Sequence, residues 1–443
     1  MFFTLKSVDC YVIDADGYLP DFEFLDKVFE VLSNKAAVVA VTTNADAADR
    51  LLRSGFAVSV TVSQGPVETG LFQNVIRASL GTNWNPNQAV FLSAYPERIR
   101  AAHELLMGTV ALPVKPGNVL LRDIFRSFPD VIIEDITELE LLARGDLVGC
   151  GGEFVARGRG AFLINPAIRD PIFLAGEVPN FENIDCPVIV SGRYFRTADP
   201  RHTLHALTQR IIHSKEKPAS QARVFAEILT DFGRFAAQRK GVKIDRIACI
   251  PGKPGEENRI GIFLNAMIDE SVSHGLFPLT SQNVRPDLIR CIRDYGSLKH
   301  LNYEQRKAAV SGAFEIAEVV DGLNVMVVDD VYSTGATMNE VIKTLKEGGA
   351  KSIIPIAIGY HPLNMPGLAL QDDDQMHCRQ CDGVMVCRLN GTTGMPFYGC
   401  SKRTAKDRNH TTLEFKEAVE GKIQRLQERL MERDSEADSD LPF

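Results

Sequence analysis

The stretch from Val325 to Thr337 reads Val-Met-Val-Val-Asp-Asp-Val-Tyr-Ser-Thr-Gly-Ala-Thr, and it indicates both the fold and the chemistry of the chain. Val325–Val328 is continuously apolar, as a buried parallel strand requires, and two acids follow it directly. The turn Ser333–Thr337 then leads into a helical pattern at Asn339–Lys346. A strand, a hydroxyl-rich turn and a helix in this order predict an α/β fold with a parallel sheet.

This turn has the composition of a phosphate-binding site. Backbone N–H groups at a helix N-terminus attract phosphate oxygens, hydroxyl side chains add donors, and glycine permits close approach. The carboxylates of Asp329 and Asp330 can accept hydrogen bonds from vicinal hydroxyls or lie beside a phosphate-bound Mg²⁺. Together they predict a site for a 5-phosphoribosyl group. The alternative is an ordinary buried strand whose helix is capped by Ser333 or Thr334.

The stretch resembles the phosphoribosyl-pyrophosphate (PRPP) motif of type I phosphoribosyltransferases, and about residues 190–360 resemble the ComF branch of that family. The resemblance implies that PRPP binds with Mg²⁺ and that Asp329 and Asp330 hold its ribose hydroxyls. It also implies a phosphate-binding turn and a set of cations that meet the pyrophosphate. The turn residues are Ser333, Thr334, Gly335, Ala336 and Thr337, and the cations are Lys253, Arg259 and Arg306.

Two further segments carry this resemblance. Arg246–Lys253 resembles the first core strand of the family and the loop that meets pyrophosphate. A flexible arm upstream of the motif is matched by Arg290, Arg293, Tyr303–Arg306 and Gly312–Phe314. The family usually shows Arg-Gly-Phe-Asn-Gln after the first loop, whereas this chain has Arg-Ile-Gly-Ile-Phe from Arg259. This departure leaves a binding protein without turnover as an alternative to the enzyme.

The N-terminal segment shows a second pattern of chemistry at strand ends. Asp14 and Asp16 follow a buried strand, and Thr43 follows the next one. These residues resemble the first two motifs of the haloacid dehalogenase (HAD) superfamily, in which the first Asp is a nucleophile and the second an acid/base. The expected strands of this α/β unit are Asp9–Ile13, Ala37–Thr42, Val58–Val62 and Ala89–Leu92, with helices at Phe22–Leu32, Asp46–Leu52, Thr69–Leu80 and Ile99–Leu105.

The rest of the HAD pattern is eroded. The lysine that the family carries near Gly65-Pro66 is missing, since residues 44–93 contain none. Ser93 stands where the last acidic motif is expected, and the nearest acid is Glu97. A nucleophilic carboxylate needs a cation to offset phosphate repulsion. We therefore expect a retained fold with weak or no phosphatase activity, and a HAD-type phosphatase is the alternative.

Cysteines crowd near the C-terminus. Cys378, Cys381, Cys400 and His410 have the order of a tetrahedral Zn²⁺ site, with Cys387 as a rival ligand. So small a module needs metal for its stability. The segment resembles the C-terminal zinc finger of bacterial type I topoisomerases, which has Cys where this chain has His410. The alternative is a set of reactive or buried thiols without metal.

Basic and aromatic residues surround the cysteines. Cations with exposed aromatic rings suit single-stranded DNA, through phosphate contacts and base stacking. The alternative is a solvated basic rim. The cations are Arg379, Arg388, Lys402, Arg403, Lys406 and Arg408, and the aromatics are Phe397 and Tyr398.

The end of the chain combines a helical pattern with an acidic tail. Leu413–Arg433 carries an apolar stripe typical of a packing or dimer surface. The tail from Asp434 ends Leu-Pro-Phe443 and resembles the tip of bacterial single-stranded-DNA-binding protein. That resemblance implies a partner among the replication or repair proteins that recognise such tips, with the terminal Phe in an apolar pocket.

Length, composition and charge limit the class of protein to which the chain can belong. The chain has 443 residues, 45% hydrophobic and 24% charged, which is typical of a folded multidomain protein. Its net charge of −8 argues against nucleic-acid binding by the whole molecule. The expected units are a degenerate HAD-like domain at 1–125, a connector at 126–190, a ComF-like phosphoribosyltransferase domain at 191–362, the finger at 377–413, and a helix with acidic tail at 414–443. Glycines clustered at Gly149–Gly160 and prolines spread over Pro166–Pro187 predict that the connector is a loop with little regular structure.

No apolar run is long enough to span a membrane, and Lys6 and Asp9 interrupt any secretory signal, so we expect a soluble cytoplasmic protein. The function predicted from the sequence is a phosphoribosyltransferase that acts on PRPP and is linked to DNA or nucleotide metabolism by its finger. The alternative is a non-catalytic adaptor that senses PRPP or a nucleotide and binds DNA. The sequence does not identify the acceptor substrate.

Overall fold

A computed structural model describes residues 8, 10–62, 89–112, 129–158, 172–361 and 376–421, apart from short gaps within these ranges. No described helix is both long and apolar enough to cross a membrane. In chain order the described strands are β1 (Cys10–Asp14), β2 (Ala37–Thr42), β3 (Val58–Val62), β4 (Ala89–Ser93), β5 (Gly108–Ala111), β6 (Val131–Ile132), β7 (Leu147–Cys150), β8 (Ile172–Leu174), β9 (Gly176–Val178), β10 (Val188–Val190), β11 (Arg246–Cys249), β12 (Ile289–Cys291), β13 (Phe314–Ile316), β14 (Asn324–Tyr332), β15 (Ser352–Tyr360), β16 (Met385–Leu389), β17 (Pro396–Cys400) and β18 (Thr412–Glu414). The described helices are α1 (Phe22–Ser33), α2 (Ala45–Arg53), α3 (Ile136–Arg144), α4 (Gly151–Arg157), α5 (Ala206–Ser214), α6 (Pro218–Lys240), α7 (Arg259–Glu270), α8 (Tyr303–Val310) and α9 (Ala336–Glu347).

Parallel strands form the N-terminal sheet, in the order β3-β2-β1-β4-β5-β6. The four strands expected from the sequence occur here, with ends shifted by at most one residue. The chain leaves β1 for β2 on one side, and β4 lies on the other. The order therefore reverses at β1, and in such sheets ligands bind at the carboxyl ends of the strands beside the reversal.

The two faces of the N-terminal sheet are covered differently. Tyr11 and Ile13 of β1 belong to an apolar cluster with buried side chains of α1 and α3. Cys10 and Val12 point to the opposite face, because side chains alternate along a strand. Among the described residues, the cluster on that face includes Ala102, Leu105, Leu106 and Met107 and buried side chains of the cysteine module.

The second sheet has the order β11-β14-β15-β10-β9, with β9 antiparallel to the others. β14 lies between β11 and β15, so both of its edges are hydrogen-bonded. Helices α6 and α7 contribute to the apolar cluster on one face, and α9 contributes to the cluster on the other. The chain is thus mixed α/β with parallel sheets, as predicted.

The segment predicted as a connector of little regular structure is the clearest error of the sequence reading. Among described residues, β6 adds the last strand of the N-terminal sheet, and β10 pairs with β15 in the second sheet. The glycines that suggested a loop have a packing reason. A Cβ on Gly152, in α4, would lie 2.2 Å from the hydroxyl of Ser191. Glycine here permits close contact between α4 and the residue that follows β10.

The cysteine module forms a small antiparallel sheet of β16, β17 and β18. Its Met385, Tyr398 and Phe415 lie in the same apolar cluster as β1. Tyr398 is 3% exposed and stacks on Phe415, so the expectation that it is free to stack on a base is wrong. The hydroxyl of Thr203 also donates a hydrogen bond to the carbonyl of Cys387.

Several sequence predictions fall outside the described residues. These are the helix at Thr69–Leu80, the Gly65-Pro66 position, Lys6, Asp9, Glu97, Lys406, Arg408, most of the helix at Leu413–Arg433 and the tail that ends at Phe443.

Candidate functional site

Strand β14 carries the acid pair at its carboxyl end. Its buried valines lie inside the sheet, and Asp329 and Asp330 follow, both half-buried. The backbone N–H of Asp330 donates a 2.8 Å hydrogen bond to a carboxylate oxygen of Asp329. The pairing of β14 with β11 ends at Val328, whereas its pairing with β15 continues to Tyr332, so the backbone that carries these acids is held in place by the β15 ladder.

The turn after β14 depends on glycine at one position. Gly335 has φ +82°, in the left-handed region, and it is the N-cap of α9. A Cβ at this position would lie 2.6 Å from the hydroxyl of Tyr332. Both the backbone angle and the space beside it therefore require glycine.

The N-terminus of α9 offers hydrogen-bond donors. Within the described residues, no hydrogen bond uses the backbone N–H groups of Ser333, Thr334, Gly335 or Thr337. The hydroxyl of Thr334 accepts a 3.3 Å hydrogen bond from the N–H of Ala336. Donors concentrated at a helix N-terminus attract an anion, because the helix dipole adds to the individual N–H dipoles.

A cavity of about 370 Å³ brings the predicted groups together. This volume is in the range of small-molecule sites. It is lined by the acid pair, all five turn residues and the three predicted cations. The lining also includes Tyr295 and Leu298, and the loop from Ile250 to Asn258. The complete predicted sets are Asp329, Asp330, Ser333, Thr334, Gly335, Ala336, Thr337, Lys253, Arg259 and Arg306.

The acids in this cavity differ in their partners. Burial, together with the neighbouring charge of Asp330, raises the pKa of Asp329 well above its usual value. Asp330 instead forms an ion pair with the guanidinium of Arg259, the first residue of α7. The Nε atom of Arg259 is buried and has no hydrogen-bond partner among the described residues.

The other two cations have partners other than Asp329 and Asp330. Lys253 Nζ lies 3.2 Å from Asp294 and 5.3 Å from the ring centre of Tyr295. Arg306 donates to the carbonyl of Leu301 at 2.8 Å, and its Nη1 lies 3.5 Å from the hydroxyl of Ser333. Burial lowers the pKa of Arg306. The cavity therefore has cations at both the loop and the turn.

The N-terminal residues predicted from the HAD resemblance also meet at one place. Asp16 accepts hydrogen bonds from the backbone N–H of Thr43 at 3.0 Å and from its hydroxyl at 2.6 Å. The hydroxyl of Ser93 donates to Asp14 at 2.5 Å. Asp14 is fully buried and forms an ion pair with Arg98, which sequence reasoning missed. Arg98 follows the end of β4 by five positions, and nothing in a pattern of acids points to it.

The cysteine module brings its four predicted ligands together. Donor atoms of Cys378, Cys381, Cys400 and His410 all lie within 4.8 Å of one another. The Cys381 sulfur is 3.5 Å from that of Cys400 and 3.3 Å from Nδ1 of His410. These spacings fit a tetrahedral site with bonds of about 2.0–2.3 Å. Cys387 is not part of this group.

Comparison with known proteins gives a family match to a segment that includes part of the cavity lining. Residues 294–377 match the model of the phosphoribosyl transferase domain, a range that includes the acid pair, the turn and Arg306. The match begins after Lys253 and Arg259.

Two curated relatives are similar over part of their length. DNA utilization protein YhgH of Salmonella typhimurium is 26% identical over 133 residues, which is 30% of this chain and 57% of that protein. The protein of the same name from Salmonella typhi gives the same figures. The similarity therefore spans little more than half the length of these relatives.

One solved structure is similar over most of the chain, but only loosely. The UMP synthase of Leishmania donovani is 15% identical, with 80% of this chain and 90% of that chain covered, at a TM-score of 0.20. A TM-score this low supports no argument about the fold. The similarity that bears on the site is therefore the phosphoribosyl transferase domain match at residues 294–377.

Proposed function

We propose that this protein is a type I phosphoribosyltransferase that uses PRPP. The observation that carries the proposal is the cavity in which the acid pair of β14 faces the turn at the start of α9. A ribose 5-phosphate group needs both a diol acceptor and a phosphate cradle, at opposite ends of one sugar. The domain match over residues 294–377 supports the same assignment.

In this proposal each end of the cavity binds one part of PRPP. Asp329 and Asp330 accept hydrogen bonds from the ribose hydroxyls, and the N–H and hydroxyl groups of Ser333–Thr337 bind the 5-phosphate. Lys253, Arg259 and Arg306 meet the pyrophosphate. The two carboxylates also suit Mg²⁺, which prefers oxygen ligands and is usually bound by one or two carboxylates together with oxygens of a substrate phosphate. When bound, Mg²⁺ supplies neutralisation of charge on the leaving group.

The proposed reaction is displacement at C1 of the sugar. An acceptor forms a bond to C1 while the bond from C1 to the pyrophosphate oxygen breaks, and pyrophosphate leaves with the electron pair. The nearby carboxylates stabilise the positive charge that develops on the sugar. The protein also holds the acceptor and C1 in the orientation that the reaction requires. The protein thus contributes mainly by orienting the reactants and by stabilising the charges that develop on the sugar and the leaving group. This proposal does not fix the acceptor.

We further propose that the cysteine module binds structural Zn²⁺ through Cys378, Cys381, Cys400 and His410, on the grounds of donor type and spacing. A link to DNA is proposed from the basic residues of the module and from the similarity to the Salmonella DNA utilization proteins. The HAD-like domain, the acidic tail and their proposed partners remain predictions from the sequence.

The function is tested by binding and turnover on the full chain. Calorimetry with Mg²⁺ and PRPP is expected to show binding by the wild type and none by Asp329→Asn/Asp330→Asn. Asp321→Asn, at an exposed position before β14, is the control and is expected to bind as the wild type does. Equal binding by the wild type and the double variant would refute the assignment.

Turnover separates the enzyme from the adaptor. Pyrophosphate release from PRPP, measured across a panel of bases and nucleosides, is expected for one acceptor class and is expected to disappear in the double variant. PRPP binding without pyrophosphate release for any acceptor favours the sensing adaptor. The altered sequence after Arg259 is the reason that both measurements are needed.

A further inference from the structure

The ion pair between Arg259 and Asp330 joins two parts of the cavity that the proposed function assigns to different parts of the ligand. Asp330 lies near the carboxyl end of β14, where the ribose diol is proposed to bind, and Arg259 begins α7 beside the loop that is proposed to meet pyrophosphate. With the pair intact, the carboxylate of Asp330 is neutralised by a guanidinium. A ligand that uses Asp330 must first separate the two.

The ion pair between Arg259 and Asp330 is important because Asp330 lies beside a second carboxylate. Asp329 and Asp330 are adjacent, and the charge of Asp330 adds to burial in raising the pKa of Asp329. Arg259 opposes both effects and holds negative charge at this place. Removing Arg259 therefore leaves two neighbouring carboxylates without their counter-ion, a state that favours a diol or a cation as a new partner.

The other cations in the cavity do not share this position. Lys253 is paired with Asp294, and Arg306 is bonded to the carbonyl of Leu301. Among the described residues that line the cavity, Arg259 is the cation that forms an ion pair with an acid of β14. Its buried Nε has no partner in the described chain and is therefore available to donate a hydrogen bond to an acceptor oxygen of a ligand.

We propose that Arg259 is a latch that selects ligands carrying pyrophosphate, an inference that rests on the proposed function. In the free protein it neutralises Asp330. When PRPP binds, the guanidinium moves to the pyrophosphate and Asp330 is released to the ribose hydroxyls. Ribose 5-phosphate must break the same pair and offers the guanidinium nothing in return. The latch thus disfavours the sugar phosphate that lacks a leaving group.

The proposal predicts changes of opposite sign for two ligands. In Arg259→Met, ribose 5-phosphate is expected to bind about tenfold more tightly, because Asp330 no longer has to be released. PRPP is expected to bind about tenfold more weakly, because a charged contact to pyrophosphate is lost. The measurement is calorimetry with Mg²⁺ and each ligand on the full-length protein.

Lys253→Met is the matched control. It removes a cation from the same cavity without disturbing the acid pair, since Lys253 pairs with Asp294. It is expected to weaken PRPP alone and to leave ribose 5-phosphate unchanged. Arg259→Gln is a second neutral variant, to be used if Arg259→Met does not fold, and the same opposite changes are expected.

The outcomes distinguish this inference from the proposed function. If the wild type binds PRPP and Arg259→Met weakens both ligands together, Arg259 is only an attractive cation and the latch is refuted. If the affinities of both ligands stay unchanged, the latch is likewise refuted. If the wild type binds neither ligand, the proposed function itself fails.

Discussion

The guanidinium of Arg98 forms an ion pair with the carboxylate of Asp14, the buried acid at the carboxyl end of β1. The same guanidinium lies 3.5 Å from Asp16. Burial raises the pKa of Asp14 to about 6, although Arg98 and the hydrogen bond from Ser93 act in the opposite direction. An internal cation thus occupies the place at which two carboxylates attract a divalent metal.

We predict that Arg98→Ala creates a divalent-metal site in the N-terminal sheet. With the guanidinium gone, Asp14 and Asp16 present uncompensated carboxylate oxygens near the reversal of strand order, and a hard cation is the natural partner. Mn²⁺ binding, followed by electron paramagnetic resonance, is expected to gain an additional bound ion per chain. The experiment is done in the Asp329→Asn/Asp330→Asn background, so that the other proposed site does not contribute.

Arg98→Ala/Asp14→Asn in that same background is the control, and the additional ion is expected to disappear. If the protein that retains Arg98 binds this ion as well, and loses it with Asp14→Asn, then Arg98 does not replace the metal and the HAD-like reading with a cation becomes the better one.

Gly335 gives a prediction about the phosphate cradle. Gly335→Ala is expected to weaken PRPP binding by about tenfold or more, because the new Cβ collides with the Tyr332 hydroxyl and displaces the N–H donors of the turn. Calorimetry with Mg²⁺ and PRPP measures this change. The strain of a left-handed alanine also costs about 1 kcal/mol of stability.

Gly241→Ala separates strain from binding. Gly241 also has a left-handed backbone, φ +62°, at the end of α6, and a Cβ there meets no atom within 4 Å. A comparable loss of stability with unchanged PRPP affinity is expected. PRPP affinity that falls equally in both variants would show that the turn at Gly335 has no special role.

The proposed phosphate-binding turn was predictable from the sequence because it is local. The strand, Asp329, Asp330 and the turn are consecutive, and the conformation that Gly335 adopts follows from its own chemistry. The cluster of Cys378, Cys381, Cys400 and His410 was predictable for a similar reason, since Cys378 and Cys381 are close in sequence and few other thiols lie nearby. Strands β1 to β4 followed from runs of apolar residues.

Contacts between distant segments were not predictable. The pairing of Arg98 with Asp14 spans 84 positions, and an arginine after a strand has no pattern of its own. The burial of Tyr398 depends on a cluster shared with β1, which a single sequence does not reveal. Strands β6 and β10 are short, and glycines and prolines around them resemble a loop until their partners are known.

The shared cluster makes the cysteine module a cover for the N-terminal sheet. Met385 and Tyr398 are each 3% exposed, although the module is too small to bury them alone. Removal of the proposed Zn²⁺ by chelation is therefore expected to raise amide hydrogen exchange in β1, β2 and β4 as well as in the module. Exchange in β11 and β14 is expected to stay unchanged. Zinc content is measured in parallel, and exchange should recover when zinc is restored.

Two substitutions on β16 test this cover without touching the ligands. Met385→Glu buries a charge in the shared cluster and is expected to raise exchange in β1, whereas Leu389→Glu changes a side chain that is 47% exposed and is expected to have no effect. Both variants should retain zinc. Unchanged exchange in β1 after chelation and in Met385→Glu would mean that the module is an independent unit.

A buried histidine lies where the two large sheets are joined. His205 Nε2 is 3.1 Å from a carboxylate oxygen of Glu153, which is itself paired with Arg193. Arg193 also reaches Asp130, next to β6 of the N-terminal sheet. Despite opposing burial, the charge of Arg193 holds the pKa values of Glu153 and Asp130 below the ordinary range.

His205 gives a pH dependence of known sign. Burial lowers its pKa from 6.5 to about 4, so between these values the unfolded chain binds more protons than the folded one. Stability is therefore lost as the pH falls through this window, by about 2 kcal/mol from His205 between about pH 7 and about pH 5. His205→Asn removes the titration and keeps an acceptor for the N–H of Thr208, which His205 caps. In urea unfolding we expect the wild type to lose more stability than His205→Asn over this range. Asp14, with its raised pKa, contributes a pH dependence of opposite sign to both proteins, and this contribution cancels when their losses of stability are subtracted. Equal losses in the two proteins would show that His205 titrates normally in the folded protein.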